Sequence, residues 1–223
     1  MSYKFRVNKR RVFEKGKVYH ICNKSIANYG IFKDKRNSLR FFKALVYYNT
    51  FESKVRLSAY FKLKKENKIK SNLLDLNKTN TLKCLAYCIM PDHYHLLLKV
   101  LADNTLSKYI SDVENSFSRY FNIKFKRKGP IWQSRFRCVE IKTDEQLLHV
   151  SRYIHLNPTT DYLIDKPEDW EFSSYKDYIL NNHYLKNVFS EITINNALTY
   201  KKFCEDQIDY QRNLKKIKKL LLE

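Results

Sequence analysis

Two histidines, His93 and His95, stand one residue apart inside the run HYHLLLKV. On a strand, side chains two positions apart share a face, so both imidazoles can aim at one point while Tyr94 turns to the opposite side. That is a metal-ligand arrangement. A second set lies downstream, where residues 145–156 read as a helix and His149, Tyr153 and Asn157 fall at i, i+4 and i+8. This spacing puts an imidazole, a phenol and an amide on one stripe. The same stripe also fits a core tyrosine followed by an asparagine that ends the helix, and the residues alone leave both readings open.

The elements that must position these groups follow from pattern. Residues 17–23 read as a strand, and residues 37–48 as a helix with Leu39, Phe42, Leu45 and Val46 on its apolar face. Residues 61–80, rich in Lys and Asn, read as a surface excursion. Residues 82–90 and 93–100 flank the turn signal Pro91-Asp92 and predict a hairpin of two central strands. Residues 105–125 carry helical periodicity, with Thr105 as the expected N-cap. Residues 136–141 make a further strand, and Asp144 is placed to cap a helix that Asn157-Pro158 should end. The order β-α-(variable)-β-β-α-β-α predicts an α+β fold, an antiparallel sheet with helices packed on one face. A basic arm over residues 1–16, a body over 17–166 and a helical C-terminal extension over 167–223 complete the expected organisation.

Composition narrows the function. Among 223 residues, 43 Lys and Arg face 23 Asp and Glu, a formal net charge of +20 that suits a polyanionic partner. With 43% hydrophobic and 15% aromatic residues, the charge sits on a folded body rather than a disordered tail. Three glycines and no GxGxxG or phosphate-binding loop argue against a dinucleotide or nucleotide fold. The cysteines Cys22, Cys84, Cys88, Cys138 and Cys204 are scattered, with no CxxC pair, which excludes a zinc ribbon or disulfide framework and fits a reducing, cytoplasmic setting. No run approaches a membrane span.

Four blocks carry a resemblance: Met90-Pro-Asp-His-Tyr-His-Leu-Leu-Leu-Lys99, Gly129-Pro-Ile-Trp-Gln-Ser-Arg-Phe136, Arg152-Tyr-Ile-His-Leu-Asn-Pro158 and Trp170-Glu-Phe-Ser-Ser-Tyr175. In order and content they resemble the IS200/IS605-like single-tyrosine transposases of bacterial insertion sequences, in the branch of REP-associated tyrosine transposases. The resemblance implies a ferredoxin-like sheet. It also implies that His93 and His95 hold a divalent cation, Mg²⁺ or Mn²⁺, with Asn157 as a third ligand, and that Tyr153 is the nucleophile. The implied reaction cuts single-stranded or hairpin DNA through a 5′-phosphotyrosine and rejoins it. The cation and the basic surroundings are expected to ease loss of the phenol proton.

Arg127, Lys128, Arg135 and Arg137 are expected to pair with DNA backbone, Trp132 to stack on bases, and Lys9, Arg10 and Arg11 of the arm to track a groove. Glu140 could approach the cation, His149 could substitute as a ligand or proton acceptor but fits an exposed helix position better, and His155 is assigned to packing. A non-enzymatic nucleic-acid-binding protein of the same composition is the rival reading, and an RNA-processing nuclease that uses a metal but not the tyrosine is a third. The sequence leaves monomer or homodimer open.

Overall fold

Four strands pair into one antiparallel sheet in the order β2-β3-β1-β4, where β1 is Val18–Lys24, β2 is Leu82–Ile89, β3 is His93–Val100 and β4 is Arg137–Ile141. The computed structural model describes residues 12–49, 55–66, 81–180, 191–194 and 196–220. The arm residues Lys9, Arg10 and Arg11 lie outside the described residues, as does 67–80 of the Lys- and Asn-rich excursion. The helices are α1 (Lys35–Tyr48), α2 (Leu57–Lys65), α3 (Thr105–Lys124), α4 (Asp144–Thr160), α5 (Tyr175–Ile179), α6 (Ala197–Glu205) and α7 (Ile208–Leu220). Among the described residues no helix is long and apolar enough to cross a membrane.

Alternation along β1 and β3 sorts their residues between the two faces. Tyr19, Ile21 and Asn23 are buried on one side and pair with Leu98, Leu96 and Tyr94, while His20 and Cys22 face the other with Leu97 and His95. The expected layer of helices on one face is made by α1 and α3. Phe41 of α1 meets Tyr94 at 4.9 Å between ring centroids, and the Tyr94 hydroxyl donates to Oε1 of Glu114 on α3 at 2.7 Å. Asn23 Nδ2 donates to the same oxygen at 2.7 Å. Tyrosine is therefore suited to the middle of the histidine pair because its inward hydroxyl finds a half-buried carboxylate, and an unmet hydroxyl there would cost about 1–3 kcal/mol. The opposite face, bearing the histidines, is covered by α4.

Several local expectations give way to packing. The hairpin β2-β3 forms, but only β3 is central. The outer edge of β2 is closed by residues 172–174, where Ile89 N donates to Phe172 O at 2.9 Å and Ser174 N to Tyr87 O at 3.0 Å. A covered edge reads in sequence like a central strand, since both are buried. In α1 the buried face includes Asn37, Ser38, Phe41, Ala44 and Leu45, and Leu39 is exposed. Asn37 and Ser38 can be buried because their side chains donate to the carbonyls of Ile31 and Phe32 at 2.9 and 2.8 Å. Asn104, left-handed at φ 60, rather than Thr105 precedes α3, and the Thr105 hydroxyl donates back to Ala102 O. Thr143 rather than Asp144 caps α4, accepting from Gln146 N.

Helix α4 also runs past Pro158 to Thr160. Proline forfeits its own N–H and crowds the carbonyl four residues back, yet the helix continues, with Asp161 N donating to Asn157 O at 2.9 Å and Leu163 N to Pro158 O at 3.0 Å.

Among the described residues beyond Pro167, α5, α6 and α7 are helical, and α5 and α6 pack around His155 of α4. That imidazole is fully buried, bonded through Nδ1 to Tyr200 Oη and through Nε2 to Ser174 Oγ, both at 2.8 Å, and ringed by Tyr175, Tyr178 and Tyr200. Burial lowers its pKa to about 3. On acidification the unfolded chain therefore takes up this proton first. The stability contributed is whole above the ordinary value near 6.5 and is lost as pH falls toward 3. We expect the urea midpoint to fall progressively below pH 6.5, and His155→Gln, which cannot take up the proton, to flatten that slope.

Candidate active site

The site forms where β3, β1 and α4 meet on the face of the sheet away from α1 and α3. His93 opens β3 directly after the turn, and its Nδ1 lies 2.6 Å from Oδ1 of Asp92. Asp92 is also paired with Lys24 through Oδ2 at 3.4 Å. Burial alone would raise the Asp92 carboxyl, but His93 and Lys24 more than offset it and hold it below its ordinary value. Such a carboxylate fixes the ring orientation and leaves Nε2 as the outward nitrogen.

His95 is buried at 6% exposure, and its Nδ1 lies 2.9 Å from Nε2 of His20, with the two rings stacked at 5.1 Å. The rings of His93 and His95 stand 5.0 Å apart, edge to face. Burial holds His95 well below its ordinary pKa and lowers His20 to about 4, so both are neutral at physiological pH with nitrogen lone pairs in place.

Helix α4 brings Tyr153 onto these rings. Its ring centroid is 5.5 Å from His95 and 6.1 Å from His20, edge-on to both. Tyr153 nevertheless remains 44% exposed and lines the cavity beside His93. Its pKa is raised, chiefly by burial, with the Asn157 side chain opposing. Burial thus favours the protonated phenol. Asn157, one turn on and nearly buried, donates Nδ2 to the Tyr153 carbonyl at 2.8 Å, which leaves Oδ1 as its unspent oxygen. His93, Tyr153 and Asn157 share the wall of a cavity of about 720 Å³, whose far side is α7 with Tyr210 and Leu214. His95 lies one layer behind that wall.

The structure thus brings His93, His95, Tyr153 and Asn157 together and adds two residues that sequence reasoning did not assign. His20 comes in because β1 pairs beside β3, with Cys22 opposite His95. Its alternation with Cys22 was readable, but the pairing was not. Asp92 was legible only as a turn residue. Among the described residues no three His, Cys, Asp or Glu side chains form a metal cage. A cation would rest on two imidazoles, with the amide oxygen of Asn157 as the third protein donor.

The other expected site residues divide. Arg137 is exposed and lies opposite Cys22, so His95, Cys22 and Arg137 form one row across the sheet on the site face. Lys128 and Arg135 are exposed in the connection before β4. Arg127 instead braces that connection, donating to Asn122 Oδ1 and to Pro130 O, both at 3.1 Å. Base stacking by Trp132 does not fit its packing. The indole sits among Phe32, Phe41, Tyr94 and Phe117 at 5.6–6.1 Å, and Nε1 donates to Glu114 O. Glu140 pairs with Tyr19, whose face is turned from the site, and bonds Lys17, so it does not approach the histidines. His149 is exposed, with Nδ1 2.8 Å from Nη2 of Arg152.

Comparison with known proteins bears on this arrangement. Residues 43–157, a little over half of the chain, match the family described as "Transposase IS200 like". A Haemophilus influenzae protein carrying the name REP-associated tyrosine transposase is 31% identical over 101 residues, covering 41% of this chain. The match spans 57% of that relative's length. The solved structure of a REP-associated tyrosine transposase bound to a REP hairpin aligns with a TM-score of 0.55 at 17% identity, covering 80% of this chain and 87% of that one, a likeness of fold.

Proposed function

This chain belongs to the IS200-like transposase family, and from that premise we propose that it cleaves and rejoins single-stranded or hairpin DNA through a covalent tyrosyl intermediate with help from a divalent cation. The observation that carries the reading is the meeting of Tyr153 with His93 and Asn157 on one cavity wall, with the His95 ring packed edge-on against the Tyr153 ring.

The donor set fits a divalent cation such as Mg²⁺ or Mn²⁺. His93 and His95 are both engaged through Nδ1, so each has Nε2 to offer, and Asn157 has Oδ1. When bound, the cation supplies charge neutralisation at a non-bridging phosphate oxygen. Tyr153 Oη attacks phosphorus, the Oη–P bond forms as the P–O3′ bond breaks, the phenol proton passes to solvent, and the departing oxygen takes a proton to become a 3′-hydroxyl. Tyr153 must give up its phenol proton as it attacks, and a bound cation would ease that loss. Asn157 holds the helix turn that carries Tyr153, and Asp92 and His20 hold the two imidazoles. Rejoining is the reverse attack by a 3′-hydroxyl on the phosphotyrosine, and it needs no nucleotide cofactor. Arg137, Lys128 and Arg135 are the exposed cations offered to the backbone of the strand.

The test is a denaturing gel of the full chain with end-labelled hairpin oligonucleotides, with Mn²⁺ or Mg²⁺ and with chelator. A cation-dependent covalent band is expected. Tight, salt-sensitive binding with no band would favour the binding-protein reading, and a band that survives chelator would remove the cation from the mechanism. Asp92→Asn, which removes the charge that orients His93, should weaken Mn²⁺ binding about 10- to 100-fold by calorimetric titration.

A further inference from the structure

A second cavity, of about 460 Å³, opens on the helix layer between α1, the start of α2 and α3, on the face of the sheet away from Tyr153. Its wall carries Arg40, Arg56 and Arg119, with Tyr48, Tyr120 and Ile123 as its flat and apolar part. The charges are not balanced locally. Asp112 is the carboxylate on the wall, and it is paired with Lys108. Lys124, also on the wall, is spent on Asp34 and Asn37 at 2.8 and 2.7 Å. Arg40 lies over the rings of Phe61 and Tyr120, at 5.0 and 5.3 Å from their centroids, and its buried Nη1 has no hydrogen-bond partner among the described residues. An unmet buried guanidinium N–H is costly, and an anion satisfies it. Arg56 and Arg119 are exposed at the same cavity, and α2 begins there without a side-chain cap.

We propose that this cavity takes a nucleotide unit, its phosphate held by Arg40, Arg56 and Arg119 and its base set against Tyr48, Tyr120 and Ile123. Three arginines match the geometry of phosphate oxygens, and aromatic rings beside them match a base without regard to its identity. The position, across the sheet from the tyrosine, makes this unit part of a strand held away from the reacting bond, or a free nucleotide. The first source rests on the reading of the chain as a DNA-acting protein.

The experiment compares the wild-type chain with R56Q/R119Q, whose substituted residues are exposed, and with R40M, which keeps the stem between the rings. Anisotropy of a labelled single-stranded oligonucleotide is followed over a salt series, and thermal melting is followed with inorganic phosphate and with thymidine monophosphate. For a strand, R56Q/R119Q should lose about tenfold in oligonucleotide affinity and flatten the salt slope by about one. For a free nucleotide, thymidine monophosphate should raise the melting temperature of the wild type and not of either variant, with oligonucleotide affinity unchanged. Stabilisation by inorganic phosphate alone, equal to that by the nucleotide, would keep the arginine site and remove the base from the proposal. Equal affinity, slope and melting response in all three proteins would overturn it. Joining is read separately: a wild-type chain that forms no covalent band but shows these binding differences would lose the strand-transfer reading and keep the pocket.

Discussion

Tyr153→Phe is expected to abolish the covalent protein–DNA band, a loss on the order of a thousandfold or more in joining, while oligonucleotide affinity stays within about twofold. The substitution removes one oxygen. The ring remains edge-on to His95 and His20, and the helix turn stays tied by the bond from Asn157 Nδ2 to the Tyr153 carbonyl. Binding and folding therefore serve as internal controls, and only chemistry should change. If cleavage without a covalent band persisted in Tyr153→Phe, water rather than the phenol would be the nucleophile and the chain would be a hydrolytic nuclease.

The second large effect is expected for His95→Ala. It should lose divalent-cation binding by calorimetry and about a hundredfold or more in joining. Here the control matters more, because His95 is buried and its Nδ1 is the partner of His20 Nε2. Removing it leaves His20 unmet, at a cost of about 1–3 kcal/mol that urea unfolding would register. His20→Ala separates the two contributions. It strands the same hydrogen bond but keeps the His95 ring, so it should share the stability loss and retain most of the cation binding. Equal loss of cation binding in both variants would make His20 a ligand rather than a support. Unchanged joining in His95→Ala would sink the cation reading at this position.

Much of this site was legible before any tertiary contact was known. Period two put His93 and His95 on one face of a strand, and period 3.6 put Tyr153 and Asn157 on one stripe of a helix. Both are local geometric consequences of backbone repeat. The Met90–Lys99 and Arg152–Pro158 blocks carried enough of the family pattern to join these two stripes into one expected site. The same local logic gave the four strands with α1, α3 and α4 in the observed order, though not α2, and the charge of +20 gave the class of partner.

What period cannot state is which surface a stripe will meet. Trp132 and Arg127 sat in a basic, aromatic segment that read as a DNA contact, yet the segment around Trp132 extends the pairing of β1, with Gln133 N donating to Lys24 O, and turns the indole into the aromatic core. The Trp170–Tyr175 block looked like the start of an added lobe, but it closes the edge of β2, and its Ser174 hydroxyl joins His155 to that strand.

His20 is the sharpest case. It enters the site only because β1 pairs between β3 and β4 in the register that sets Cys22 opposite His95. The sequence by itself determined which residues share a face, because that depends on neighbours along the chain. Tertiary structure alone decided which faces meet, because strand register, the covering of a sheet edge and the partner of a buried imidazole are set by contacts between residues some 75 to 90 positions apart.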